Sequence, residues 1–394
     1  MRSIPFALIS AVFLCINADV LAQRASSQIP KGDVLEQTNL FTGGVDGYHT
    51  YRIPALLETA DGAVLAFCEG RKTGGGDHGD VDLLMKRSTD SGLTWSPQHI
   101  VHEEGGDAKI TIGNPCPVVD ETTFVIWLPF TRDNKSVFIT SSNDDGQTWA
   151  APRDISASVT RPDWVWVATG PGIGIQLTHE PHKSRLVIPS DHRRKLPDGK
   201  QEWNSHMMFS DDGGKSWQIG APIQTGGNEC QVIERADGSL LVNTRMQGEF
   251  QGFRGIATST DGGATWSAIS QEKQLPCPKC QGSLLRHAWA DTNVLGRLLF
   301  SNPHPPESTS DKPSGARVNL TVRMSIDEGK TWPVARLLNE GPSAYSSLAW
   351  LSNGTILCLY EGGEKRASES LRLARFNLEW LTGSKEGLPS KPSR

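Results

Sequence analysis

The sequence predicts an all-β chain folded as a single six-bladed β-propeller. Three observations carry that expectation: one octapeptide pattern recurs five times, short strand-like runs precede its copies, and tryptophan outnumbers tyrosine 12 to 4 in 394 residues. Self-similarity along a chain marks stacked supersecondary units, each unable to bury its own faces alone.

The five copies are Ser88 to Trp95 (STDSGLTW), Ser142 to Trp149 (SNDDGQTW), Ser210 to Trp217 (SDDGGKSW), Ser259 to Trp266 (STDGGATW) and Ser325 to Trp332 (SIDEGKTW). They share S-x-D-x-G-x-[ST]-W, with starts 54, 68, 49 and 66 residues apart. Each reads as a hairpin turn in which Asp and Ser side chains bond the backbone and Gly supplies a positive φ. The Trp is expected to open the next strand and pack inward. Upstream lie Val81 to Met85 (VDLLM), Val137 to Ile139 (VFI) and Leu320 to Met324 (LTVRM), which have strand composition. Such spacing suits a four-stranded blade, and five marked units plus one unmarked closing unit give six. The box aspartates are structural on this reading.

Residues 1–22 place Arg2 before an apolar run from Ile4 to Ile16 and end in Val20, Leu21 and Ala22. That is the pattern of a secretory signal peptide, and the run is too short to cross a bilayer. Cys15 raises the alternative of a lipoprotein anchor, but Leu14 stands where a small residue would be needed. Residues 23–383 then form the propeller, 384–394 a polar tail, and the mature chain is expected to be secreted or periplasmic, with no membrane span. A net charge of −5 with 21% charged residues gives no reason to expect nucleic acid as a partner. Six cysteines follow the signal; Cys277 and Cys280 form a CxxC without the second pair that zinc would want, so a local disulfide or buried thiols are the readings. The ten histidines are scattered without HExxH spacing, which argues against a catalytic metal. His49 and His78, near the motifs below, read as a strand residue and a loop residue.

Outside the boxes, seven segments stand in order: Tyr51 to Leu57 (YRIPALL), Leu65 to Arg71 (LAFCEGR), Asn114 to Pro117 (NPCP), Thr169 to Leu177 (TGPGIGIQL), Glu229 to Glu234 (ECQVIE), Ser343 to Leu348 (SAYSSL) and Leu359 to Glu361 (LYE). Together with the boxes they resemble the exo-α-sialidase (neuraminidase) family through the whole mature chain. The resemblance implies a hydrolase acting on sialylated glycans without a cofactor.

A sialic acid carries a carboxylate on its anomeric carbon, so such a site needs a cationic clamp, and planar guanidinium groups suit it. The resemblance places three arginines at Arg52, Arg245 and Arg317, with Glu361 holding the first. Arg323 competes with Arg317 because both lie in one predicted strand. A carboxylate nucleophile would be repelled by that substrate, and sialidases are the handful of glycosidases that use a tyrosine. The resemblance assigns Tyr345 as nucleophile and Glu229 as the base that takes the phenol proton. The acid/base falls in the glycine-rich segment Lys72 to Val81, where Asp77 matches by spacing and Asp80 and Asp82 are the rivals. Arg71 is placed on the pocket floor, against the substrate carboxylate or O4. Animal cytosolic sialidases carry two tyrosines where this chain has Asp191 and Arg193, so the glycerol side chain meets different groups. Two other readings stay open: a non-catalytic propeller that binds glycans or proteins, and a trans-sialidase with the same residues.

Overall fold

A computed structural model describes residues 34–247, 252–289, 296–306 and 315–383. The leader assigned to residues 1–22 and the tail at 384–394 lie outside the described residues. The described chain is almost entirely antiparallel strand; its α-helical pieces are the single turns Ser156–Val159 and Leu378–Thr382.

Four sheets stand alone. The first runs Thr50–Glu58, Val64–Arg71, Val81–Ser88 and His99–His102, and the fourth runs Gly227–Glu234, Leu240–Met246, Gly252–Ser259 and Ser270–Cys277. The second and third have five strands each because the innermost position is filled by two short pieces, Ile112–Gly113 with Val118–Val119 and Trp164–Thr169 with Ile175–Gln176. A fifth sheet has seven strands. It differs from the expected separate blades because Val334–Trp350 runs unbroken through it. The first half of that strand pairs with Val318–Ser325, and from Ser343 onward it pairs with Ile356–Gly362.

Each sheet packs on the next, which arranges them as a β-propeller. Leu57, Leu65 and Phe67 meet Ile126, Leu128 and Phe130; Val118 and Ile139 meet Leu186 and Ile188; Val187 and Met207 meet Val232 and Val242; Ile233 and Leu241 meet Leu284 and Phe300. The two halves of the seven-stranded sheet also pack together, Leu299, Val322 and Met324 against Leu348, Ile356 and Cys358. The ring closes where Phe41, Leu359 and Leu373 meet Leu56, Val64 and Leu84. The N-terminal strand Leu35–Thr42 secures this closure by pairing with Ser370–Phe376, near the other end of the chain. Six cysteines are buried free thiols, including Cys277 and Cys280, so the disulfide reading gives way to the thiol one.

The five octapeptides form one repeated turn between the third and fourth strands of their units. In each, the Ser hydroxyl donates to Asp Oδ1 at 2.7–2.8 Å and accepts from the Gly amide at 2.8–3.0 Å. Asp Oδ1 accepts from the Thr or Ser amide four residues on, and Oδ2 from its hydroxyl. The Gly and the residue before it both have positive φ, for example Gly92 at 81° after Ser91 at 62°, as a primed hairpin turn requires. The Trp packs over the turn one to four residues before the next strand rather than opening it.

Candidate active site

The site is built from strand ends that face the propeller axis. A bulge between Arg52 and Ala55 breaks the pairing of Thr50–Glu58 with its neighbour, and at its centre Ile53 has φ of 59°. A β-branched residue avoids that region, so the bend is held by its surroundings. The restraint is Glu361, on Ile356–Gly362, whose Oε1 accepts from the Ile53 amide at 3.1 Å. The same carboxylate accepts from Arg52 Nε at 3.0 Å and Nη2 at 3.2 Å, so one buried glutamate fixes both the bulge and the guanidinium.

Arg52, Arg71, Asp77, Glu229, Arg245 and Tyr345 line one cavity of about 300 Å³, and no box residue lines it. Arg317 lies against the same centre: its Cζ is 5.5 Å from the centroid of the Tyr345 ring, and that of Arg52 is 5.0 Å away. Arg317 Nη2 donates to the Lys279 carbonyl at 2.6 Å, and among the described residues it has no carboxylate partner. Arg323 is elsewhere. Buried at 3% exposure, it donates to Asn302 Oδ1 and meets His304 within its own sheet, where burial draws its pKa down to about 10. Alternation does not relate the two arginines, because Arg317 precedes the strand Val318–Ser325 and the register shifts between Val318 and Leu320 and again at Thr321.

Tyr345 lies on the second half of the long strand Val334–Trp350 and is 6% exposed. Its hydroxyl donates to Glu229 Oε1 in a short hydrogen bond, and Arg245 Nη1 bridges the pair, 2.8 Å from Glu229 Oε2 and 3.1 Å from the phenol oxygen. Burial and the Glu229 carboxylate push the phenol well above its ordinary pKa, against the pull of Arg245, Arg52 and Arg317. The proton therefore stays on the tyrosine in the empty site, and an attack by the oxygen needs its removal as the bond forms.

Asp77 projects from the loop, its side chain 74% exposed, and its Oδ1 accepts from both Arg71 Nη1 at 2.9 Å and Arg52 Nη1 at 3.1 Å. Partial desolvation at the cavity mouth works upward on its pKa, but Arg71 and Arg52 prevail and hold it below the usual range. Asp80 and Asp82 point away: both pair with Lys72, and Asp82 accepts from Tyr48 Oη at 2.5 Å. Arg71 lines the cavity, and its donors are engaged within the protein. Nε and Nη2 bind Glu69 Oε2, while Nη1 serves the Gly75 and Gly76 carbonyls and Asp77.

Several lining residues carried no signal strong enough to single out. Glu69 sits two residues before Arg71 on one strand, within reach of alternation, whereas Asn228 directly precedes Glu229 and shares the cavity where the strand register shifts between Gly227 and Cys230. Trp166, Arg193 and Trp203 line the cavity as a cross-strand row, Arg193 being paired to each tryptophan and its Cζ 5.1 Å from the Trp203 ring. Of the two departures at the glycerol segment, only Arg193 faces the cavity. Asp191 is wholly buried and accepts from Asn228 Nδ2 at 2.5 Å. His78 lines the cavity, whereas His49 precedes its strand and meets Thr50 Oγ1.

The arrangement is a cationic, bidentate-capable clamp around a phenol and its base, with a carboxyl group on the facing loop. Residues 62–358 match the BNR repeat-like domain family. A sialidase of Micromonospora viridifaciens is 33% identical over 384 residues, covering 91% of this chain and 56% of that protein. An exo-alpha-sialidase of Aspergillus fumigatus is 28% identical over 432 residues, covering 97% of this chain and 98% of that one. Among solved structures, Hadza microbial sialidase Hz136 superposes with a TM-score of 0.76 at 28% identity, over 88% of this chain and 69% of that one. The chain spans little more than half the length of the Micromonospora protein. It belongs to the sialidase family.

Proposed function

We propose that the protein is a retaining exo-α-sialidase that releases terminal sialic acid from glycoproteins, glycolipids or oligosaccharides. The observation that carries this reading is the Tyr345, Glu229 and Arg245 cluster, set between Arg52 and Arg317 and faced by Asp77. In this scheme Arg52, Arg245 and Arg317 hold the substrate carboxylate. Tyr345 attacks the anomeric carbon as Glu229 takes its proton; the glycosidic bond breaks as Asp77 protonates the leaving oxygen. Asp77 then deprotonates water, which cleaves the tyrosyl-sugar bond and returns the proton to Tyr345 through Glu229. No cofactor is required by these steps.

Tyr345, Glu229, Asp77, Arg52 and Arg245 in one cavity, with Arg317 against the Tyr345 ring, count against a binding-only propeller, which has no use for a phenol and base inside a cationic clamp. We also read the seven-stranded sheet as two blades that share one strand, since its halves pack face to face, which makes six blades in all. Export follows from the leader pattern at residues 1–22 and places the substrates outside the cytoplasm. Incubation with a fluorogenic aryl α-sialoside, followed by NMR of the first-formed product, tests the function. Release of free α-sialic acid supports it; an inverted β product excludes double displacement, an anhydro or acceptor-linked sugar identifies transfer, and no release at all rejects the enzyme.

A further inference from the structure

Asp77 stands where a substrate carboxylate has to go. Resting on the sialidase reading, we propose that the substrate carboxylate displaces Asp77 from Arg52, so that binding the sugar and protonating its acid catalyst are one exchange, with Arg71 as the positioning residue that keeps Asp77 over the site.

The geometry of Arg52 sets up the competition. Its Nε and one N–H of Nη2 are committed to Glu361, and one N–H of Nη1 donates to Asp77 at 3.1 Å. An incoming carboxylate that uses this arm of the clamp meets an anion already there. Two ionised carboxylates on one guanidinium nitrogen repel each other, which disfavours the charged form of both. The repulsion is relieved when one of them leaves or takes a proton.

Arg71 decides which happens. Its guanidinium is 3% exposed, anchored on Glu69 and bonded to the Gly75 and Gly76 carbonyls as well as to Asp77. It therefore ties the loop backbone down independently of Arg52, and Asp77 cannot swing far when Arg52 is lost. The carboxyl stays near the sugar, partnered by one cation instead of two and beside a new anion. Both changes favour the protonated form, the state a general acid needs and the opposite of the one favoured in the empty site. The charged and titratable groups facing Asp77 are Arg52 and Arg71 from two strands, with Glu361 and Glu69 behind them, and His78 next in the loop. The proton comes from solvent, to which the Asp77 side chain is 74% exposed, and leaves on the glycosidic oxygen in the chemical step.

Calorimetric titration with a 2,3-dehydro sialic acid analogue, in buffers of differing ionisation heat at mildly acidic pH, measures the exchange without turnover. Wild type is expected to take up as much as one proton per analogue bound. Asp77→Asn should abolish the uptake and bind the analogue as tightly or more so, since an amide competes weakly for Arg52. Arg71→Gln should shrink the uptake, because Asp77 displaced from Arg52 then has nothing to hold it beside the sugar carboxylate, and His78→Gln should retain most of it. Binding without proton uptake in wild type, or uptake that persists in Asp77→Asn, overturns the exchange while leaving the sialidase reading intact. Failure of the analogue to bind wild type overturns both.

Discussion

The box turns and the cavity are both held by carboxylates that accept several hydrogen bonds, yet they are assembled in opposite ways. Every hydrogen bond within a box spans two to four residues, as from Ser88 to Asp90 and Asp90 to Thr94. The cavity contacts span 16 residues from Glu229 to Arg245, 116 to Tyr345 and 309 from Arg52 to Glu361. A local motif closes on itself and can recur wherever a hairpin needs it. A nonlocal one exists only once the ring is closed, when charged groups such as Arg52 and Glu361 meet from different sheets. Local clusters should therefore affect stability alone, and nonlocal ones affect chemistry first.

The largest expected effect is on chemistry. Tyr345→Phe removes the attacking oxygen but leaves the guanidinium groups, so turnover should fall by orders of magnitude while the dissociation constant of a sialic acid analogue changes by only a few-fold. Loss of analogue binding in this variant would mean that the phenol holds the sugar rather than attacks it. Next come the two rival arginines. A charged hydrogen bond contributes about 1.5–3 kcal/mol, so Arg317→Lys, which cannot reproduce a forked contact, should weaken analogue binding by roughly 10- to 100-fold. Arg323→Lys should lower the melting temperature and barely change that affinity; the reverse pattern would place the clamp on the wrong residue.

Smaller effects belong to groups away from the chemistry. His192 and His206 are fully buried in the third sheet, and burial, with arginines nearby, depresses both, His192 to about 3. Unfolded histidine titrates near 6.5, so these groups support folding above that pH and withdraw the support as pH falls toward the folded values. Substituting both by Gln should flatten the acid limb of the melting curve between about pH 6.5 and 4. The smallest effect is that of one box. Asp144 is held down to about 2 by hydrogen bonds from Thr148, so its contribution is present above the unfolded value near 3.9 and is lost as pH falls through 2. Asp144→Asn should lower the melting temperature at neutral pH more than at pH ~2.5, with analogue affinity unchanged. A change in affinity would break the division between local and nonlocal clusters.

What could be read from the chain follows the same division. The boxes are legible because the turn needs the same residue types at the same spacing five times. Arg52, Glu361 and Tyr345 are legible through motifs that resemble a family, not through any local necessity. The bulge at Ile53 was hidden, since YRIP does not state that a β-branched residue turns left-handed to satisfy a glutamate some 300 residues away. Arg71 was legible as a cavity residue, but its bonds to the Gly75 and Gly76 carbonyls were not, because backbone acceptors in a loop leave no mark on the sequence. The closing pairing of Leu35–Thr42 with Ser370–Phe376 joins two unremarkable segments, and the shared strand Val334–Trp350 hides a blade boundary that no turn residue marks.

The central claim is that Tyr345, not a carboxylate, forms the bond to the sugar. Incubation with a 3-fluorinated sialosyl fluoride tests it most directly, because the fluorine slows hydrolysis of the covalent intermediate and allows the labelled peptide to be sequenced by mass spectrometry. The label is expected on Tyr345, with none in Tyr345→Phe. A label on Asp77 or Glu229 in the wild-type protein would contradict the account.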